Sequence, residues 1–121
     1  TCNESTWRDE LIPLLTIDFF NPVVPDWTEE DYKKELVARE ESDFCLYVIT
    51  PKMTGVYSIA EVIDDSNKRP EKTVFCFLQK DGKEEFSKAQ IKSLVATAKM
   101  VAKNGGAVEG SLKEVAEFLN K

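Results

Sequence analysis

The residue most suited to covalent chemistry in this sequence is Glu61. It lies in the segment TPKMTGVYSIAEV (residues 50–62), directly after the apolar run FCLYVI (residues 44–49). The apolar run predicts a buried strand, Gly55 a turn, and the residues after it a helix. In open α/β sheets, ligands bind where such turns leave the carboxyl ends of the strands. A carboxylate near a helix N-terminus is stabilised as the anion, and an ionised carboxylate can act as a nucleophile.

Periodicity alone predicts a different fate for Glu61. Ile59, Val62 and Ile63 recur at helical spacing and predict the apolar face of the helix. Glu61 falls roughly opposite that face, which is typical of a solvated side chain. The two alternatives are therefore an exposed glutamate and a glutamate that faces a ligand crevice.

The absence of histidine narrows the chemistry further. Without histidine, the chain has no Ser-His or Cys-His nucleophile and none of the common zinc sites. The chain has three cysteines, an odd number, and their spacing is not that of metal ligands. Cys45 and Cys76 lie in apolar runs, as expected for reduced cysteines in a core. We therefore expect no metal and no cofactor, and any catalysis must use carboxylates, Tyr, Lys or Arg.

Two groups of polar residues flank the Glu61 segment. Asn21, Asp26 and Trp27 belong to the proline-stiffened loop NPVVPDW, which either borders the same crevice or forms a turn with an aromatic lid over the core. Tyr57 and Ser58 directly precede Glu61, where they either donate hydrogen bonds to a ligand or, for Ser58, cap the helix.

Three further candidates are less specific. Asn3 and Arg8 lie at the start of the chain, near the first predicted helix, and the alternative for Arg8 is a solvated surface charge. Glu35 belongs to a group of acids ahead of the strand, and most such charge runs form a solvated face.

The overall composition indicates one globular domain, residues 1–121. A net charge of −6 argues against a nucleic-acid polymer as partner but is compatible with a single nucleotide. No apolar run approaches the roughly 20 residues of a membrane span. The first residues lack the basic start and apolar core of a signal peptide. Together with the cysteine pattern, this predicts a cytoplasmic protein without a membrane partner.

Helices and strands alternate along the predicted chain. Thr28 with Asp31 has capping-box spacing, and Ser87 and Ser111 are further predicted N-caps. Alternation predicts a mostly parallel sheet with helices on both faces. The predicted strands cover residues 16–20, 44–49, 73–78 and 107–108, and residues 80–83 are predicted to form a turn. The predicted helices cover residues 6–15, 28–41, the part of the Glu61 segment up to residue 67, 87–104 and 111–119.

Four strings of residues together resemble the nucleoside 2-deoxyribosyltransferase-like proteins. They are TCNESTWRDELIPLL, FNPVVPDW, SDFCLYVITPKMTGVYSIAEV and RPEKTVFCFL, and they extend from about Thr1 to Leu78. The resemblance implies a flavodoxin-like three-layer α/β sandwich that acts on the N-glycosidic bonds of 2′-deoxynucleosides. In that family a glutamate attacks the anomeric carbon, the base leaves, and a second base or water accepts the sugar from a covalent deoxyribosyl-enzyme.

The resemblance also implies roles for the candidate residues. Glu61 matches the nucleophile, because Ser58 and Glu61 reproduce the family's Ser-x-x-Glu spacing after the strand. The other residues would bind substrate: Tyr57 and Ser58 at the sugar, Asn21, Asp26 and Trp27 at the base, Asn3 and Arg8 near the 5′ side, and Glu35 as a second acid.

The chain departs from the family in two places. Gly55 stands where the family carries an aspartate that handles the base, so either base protonation comes from Asp26 or Glu35, or the chemistry differs from that of the family. The family also opens with an apolar strand ahead of the segment that matches residues 1–8, and we expect this central strand to be missing from the chain. The expected partner is a small-molecule nucleoside or nucleotide, with homo-oligomerisation open. The alternatives are a non-catalytic nucleotide-binding or sensing domain on the same fold, and a structural or assembly module.

Overall fold

A three-stranded parallel sheet with helices on both faces organises the protein. The computed structural model describes residues 5–22 and 26–121. The strands are β1 (Cys45–Ile49), β2 (Thr73–Phe77), β3 (Lys80–Asp81), β4 (Glu84–Glu85) and β5 (Ala107–Glu109). The helices are α1 (Trp7–Leu11), α2 (Glu29–Glu41), α3 (Tyr57–Lys68), α4 (Lys88–Asn104) and α5 (Leu112–Leu119).

The main sheet has the strand order β1-β2-β5, with all neighbours parallel. Cys45 is paired with Thr73 at one end of β1 and Ile49 with Phe77 at the other. β1 is an edge strand, since no other described strand pairs with its far side. The prediction of a mixed α/β fold with a parallel sheet is therefore confirmed, whereas the further central strand implied by the resemblance stays a prediction.

The core has two halves because successive strand residues point to opposite faces of the sheet. On one face, Val74 and Cys76 pack with Trp7 and Leu11 of α1 and with apolar residues of α5. On the other face, Phe75 packs with Val62 of α3 and with Leu94 and Val101 of α4. Cys76 is the buried core residue that the sequence predicts, and burial raises the pKa of its thiol to about 12.

The predicted helix starts are confirmed where local hydrogen bonds define them. Thr28 and Asp31 form a reciprocal capping box at α2, and Ser87 forms one with Gln90 at α4. Ser111 accepts a hydrogen bond from the backbone N–H of Glu114 at α5. These bonds satisfy N–H groups that a helix N-terminus otherwise leaves unpaired.

The prediction of a strand at residues 16–20 is wrong. None of the described strands pairs with this segment, and Phe19 and Phe20 are exposed. The segment is instead held at its start by Asn120, whose side chain accepts a hydrogen bond from Thr16 N (2.9 Å) and donates one to the Leu14 carbonyl (2.8 Å). β-branched and aromatic residues favour strands only where a neighbouring strand completes the ladder.

Residues 80–85 form a short antiparallel hairpin, β3 with β4, and the predicted turn lies at its tip, where Gly82 has φ of +62°.

None of the helices in residues 5–22 and 26–121 combines the length and the apolar character that crossing a membrane requires.

Candidate active site

A cleft of about 750 Å³ runs along the unpaired edge of β1. Its floor includes Leu46 and Val48 of β1, and its walls include residues of α1, α2, α3 and the segment 15–22. Several of the candidate residues from the sequence line this one cleft: Arg8, Asn21, Glu35, Ser58 and Glu61.

The remaining candidates are placed differently. Asp26, Trp27 and Tyr57 are not among the described residues that line the cleft, and all three are exposed, Trp27 to 53% and Tyr57 to 70%. Asn3 lies outside the described residues. The structure therefore gathers one part of the predicted set around the cleft and places Asp26, Trp27 and Tyr57 on the surface.

Glu61 is largely buried in the wall of the cleft. It lies in the second turn of α3, and its side chain is only 14% exposed. Val62 faces the sheet core, as the apolar periodicity predicts. The solvated alternative for Glu61 is nevertheless wrong, because Arg39 of α2 reaches the face of α3 that carries this glutamate.

Arg39 is the charged partner of Glu61. Its Nη1 atom lies 3.6 Å from Glu61 Oε2, and its Nη2 atom donates a hydrogen bond of 2.9 Å to Asp65 Oδ1. Nη2 also lies 3.8 Å from Asp64 Oδ2. The guanidinium thus joins α2 to carboxylates spaced along α3.

Asp65 is a fully buried carboxylate below Glu61 on the same helix. It accepts hydrogen bonds from Arg39, from the Tyr47 hydroxyl and from Arg69. A buried charge is stable only when it is paired and hydrogen-bonded, and this carboxylate has both kinds of partner. Sequence reasoning missed Asp65, although its spacing of four residues from Glu61 and three from Val62 places it on the same side of the helix as both.

The local electrostatics distinguish the two carboxylates. Burial raises the pKa of Glu61, the charge of Glu35 raises it further, and Arg39 only partly offsets this, so the pKa lies above its usual value. Burial would also raise the pKa of Asp65, but hydrogen bonds from Arg39 and Tyr47 hold it below its usual value. Asp65 is therefore a fixed anion, while Glu61 is an acid whose charge depends on its surroundings.

The other residues of the cleft present a mixed surface. Ser58 is buried in the first turn of α3; the residue before that helix is Val56, so Ser58 is not its N-cap. Arg8 stacks on Trp7, with its guanidinium carbon 4.4 Å from the ring centroid, rather than extending into solvent. Within residues 5–22 and 26–121, no group of three or more Cys, Asp or Glu side chains is arranged to hold a metal ion.

This arrangement brings a partly buried carboxylate, a second acid and a hydroxyl to one cleft. A carboxylate in such a place can attack an electrophilic carbon, and a neighbouring acid can supply a proton to a leaving group. Comparisons with protein-family models, with curated proteins and with solved structures gave no match.

Proposed function

We propose that the protein cleaves or transfers the N-glycosidic bond of 2′-deoxynucleosides or nucleotides through a covalent glycosyl-Glu61 intermediate. The observation that carries the proposal is the position of Glu61, with its carboxylate largely buried in a cleft that Glu35 and Ser58 also line. The proposal includes a flavodoxin-like arrangement of the sheet and helices, as implied by the resemblance of the sequence.

The reaction consists of two displacements at the anomeric carbon. The Glu61 carboxylate forms a bond to this carbon as the bond to the base nitrogen breaks and its electron pair leaves with the base. A second base or water then attacks the same carbon and releases Glu61, so the configuration at the carbon is retained. The cleft volume of about 750 Å³ lies within the usual range for small-molecule sites.

The leaving base needs a proton, and Glu35 is the better placed of the two acids expected to supply it. Glu35 lines the cleft with Glu61, and their charges interact. Asp26 is exposed and does not line the cleft. In this proposal Ser58 contacts the sugar, Asn21 the base and Arg8 the 5′ side, whereas roles for Asn3, Asp26, Trp27 and Tyr57 depend on the resemblance alone.

A second candidate is a non-catalytic nucleotide-binding or sensing domain. It is favoured by the base-handling position, which holds Gly55, and by the exposure of Asp26 on the surface. In this alternative the same cleft binds a nucleotide and no bond is broken. Fold alone does not distinguish the two functions.

We also propose that the protein works in the cytoplasm on a small-molecule partner and forms a homo-oligomer. The free thiols of Cys45 and Cys76 support a reducing compartment. Tyr32, Leu36 and Val37 of α2 are exposed apolar side chains, which are typical of a surface that contacts another subunit.

The test is base release from purine and pyrimidine deoxynucleosides and their 5′-phosphates, with and without a free acceptor base. We expect release by the wild type, a loss of about 10³-fold or more in Glu61→Gln, and a covalent sugar adduct on Glu61 by mass spectrometry. Glu30→Gln, at an exposed site on α2, is the matched control. Base release that is undiminished in Glu61→Gln contradicts the proposal. Nucleotide binding by calorimetry without any release favours the second candidate.

A further inference from the structure

We propose that Arg39, anchored on Asp65, is the positioning residue that orients the Glu61 carboxylate and keeps it ionised in the cleft. The inference rests on the proposed function for its catalytic meaning. Its physical content, the control of Glu61 by Arg39, is measurable without any substrate.

The first support is the way in which α2 is attached. No residue of this helix is buried, so it does not contribute a side chain to either half of the core. Polar contacts attach its C-terminal end instead: Arg39 binds Asp65, Arg69 pairs with Glu40, and Lys72 Nζ donates to the Glu40 carbonyl (2.8 Å). Arg39 and Glu40 therefore carry the contacts that hold this wall of the cleft.

The second support is the geometry of the guanidinium. A guanidinium presents its N–H groups in a rigid plane, so fixing one terminal nitrogen fixes the direction of the other. The Asp65 carboxylate holds Nη2 at 2.9 Å and is itself held by Tyr47 and Arg69. Nη1 is then directed at Glu61.

The distance between Arg39 and Glu61 suits a supporting role. At 3.6 Å, Nη1 and Oε2 form an ion pair but not a hydrogen bond. Arg39 thus stabilises the negative charge at Oε2 without a direct hydrogen bond to it. A lysine in its place lacks the second nitrogen needed to contact Asp65 and Glu61 from one rigid plane.

The third support is the balance of charge around Glu61. The described acids that face Glu61 are Glu35 of α2 and Asp65 of its own helix. Asp64 lies next to Arg39, and the hydroxyl of Tyr47 on β1 donates a hydrogen bond to Asp65. Arg39 is the described side chain that opposes them. Because burial and Glu35 already raise the pKa of Glu61, loss of Arg39 raises it further and leaves more of the acid neutral. A neutral carboxylic acid does not act as the nucleophile.

The experiment follows the side-chain carboxyl carbons of ¹³C-glutamate-labelled protein by NMR as the pH changes, with the Glu61 signal assigned from its absence in Glu61→Gln. We expect the pKa of Glu61 to rise by about one unit in Arg39→Gln and by less in Arg39→Lys. Lys68→Gln is the matched control, since Lys68 is a cation of the same helix that pairs with the exposed Asp64 and has no ion pair with Glu61. Circular dichroism checks that each variant is folded, and Arg39→Lys, which retains the charge, carries the test if Arg39→Gln does not fold.

An unchanged Glu61 titration in the Arg39 variants overturns the inference, as does an equal shift in Lys68→Gln. If the wild type releases base, the acid limb of its kcat/KM profile moves to higher pH in Arg39→Lys. If the wild type releases no base, the proposed function fails, while the NMR titration still decides whether Arg39 controls Glu61.

Discussion

Arg39 and Glu61 face each other between α2 and α3, with Nη1 of the arginine 3.6 Å from Oε2 of the glutamate. The same arginine binds the buried Asp65 one turn further along α3. One guanidinium therefore connects a structural carboxylate in the interior to a carboxylate in the cleft. The predictions that follow separate the contributions of these two acids.

Replacement of the buried Asp65 should lower the free energy of unfolding. Asp65→Ala leaves Arg39 and Tyr47 without their shared acceptor, and breaking a buried pair by removing one partner costs about 3–5 kcal/mol. We expect a loss of this size in the free energy of unfolding measured by urea denaturation. Asp64→Ala, at a side chain that is 48% exposed, should change stability by only about 0.5 kcal/mol or less. Similar losses in both variants would contradict a structural role specific to Asp65.

Acidification should remove the contribution of Asp65. Its pKa is lowered in the folded protein, so the stabilisation is present above the unfolded pKa of about 3.9 and is lost as the pH falls through the folded pKa. The stability difference between the wild type and Asp65→Asn should therefore be constant near neutral pH and shrink below about pH 4. Urea denaturation at a series of pH values measures this stability difference, and a difference that grows on acidification would contradict the prediction.

Glu61 should show the opposite dependence. Its pKa is raised in the folded protein, so its charged form is disfavoured by folding above the unfolded pKa of about 4.3. We expect Glu61→Gln to be more stable than the wild type at pH 7, by up to about 1 kcal/mol, as is common when a functional charge is removed. The gain should disappear below pH 4, where the wild-type carboxyl is also neutral. Thermal unfolding at pH 7 and pH 4 tests this, and a less stable variant at pH 7 would contradict it.

A close approach between α4 and the sheet should make Gly106 intolerant of a side chain. A Cβ at this position would lie 2.7 Å from Val101 Cγ1 and 3.3 Å from the Val101 carbonyl oxygen. We expect Gly106→Ala to lower the free energy of unfolding by about 1–3 kcal/mol, the usual cost of overpacking. At Gly110 the nearest atom is the flexible end of Glu114, at 3.3 Å, so Gly110→Ala is the milder control. Equal effects of the two substitutions would show that the close contact is relieved by a small shift.

The sequence predicts those parts of the fold that depend on neighbouring residues. The capping boxes of Thr28 and Ser87 require only three residues of separation, and the apolar runs of β1 and β2 mark strands by composition alone. Residues 16–20 have the same kind of composition without a described partner strand, and they do not form a strand. Strand formation depends on a neighbour that the local sequence does not contain.

The candidate site was only partly predictable for the same reason. Glu61 and Ser58 are recognisable from their position after a strand, and the structure places both at the cleft. The network around Asp65 joins residues separated by 18 and 26 positions, which no local spacing reveals. Asp65 lies on the buried face of α3 with Val62 and Ser66, and its partners Tyr47 and Arg39 come from other elements.

The contacts that attach α2 differ in their sensitivity to salt. The carboxylate of Glu40 is 67% exposed, whereas that of Asp65 is fully buried, and exposed charges are screened more strongly than buried ones. Added salt should therefore weaken the contact of Arg69 with Glu40 before it weakens that of Arg39 with Asp65. Because no residue of α2 is buried, its backbone amide hydrogens should exchange with solvent before those of the buried strand β2.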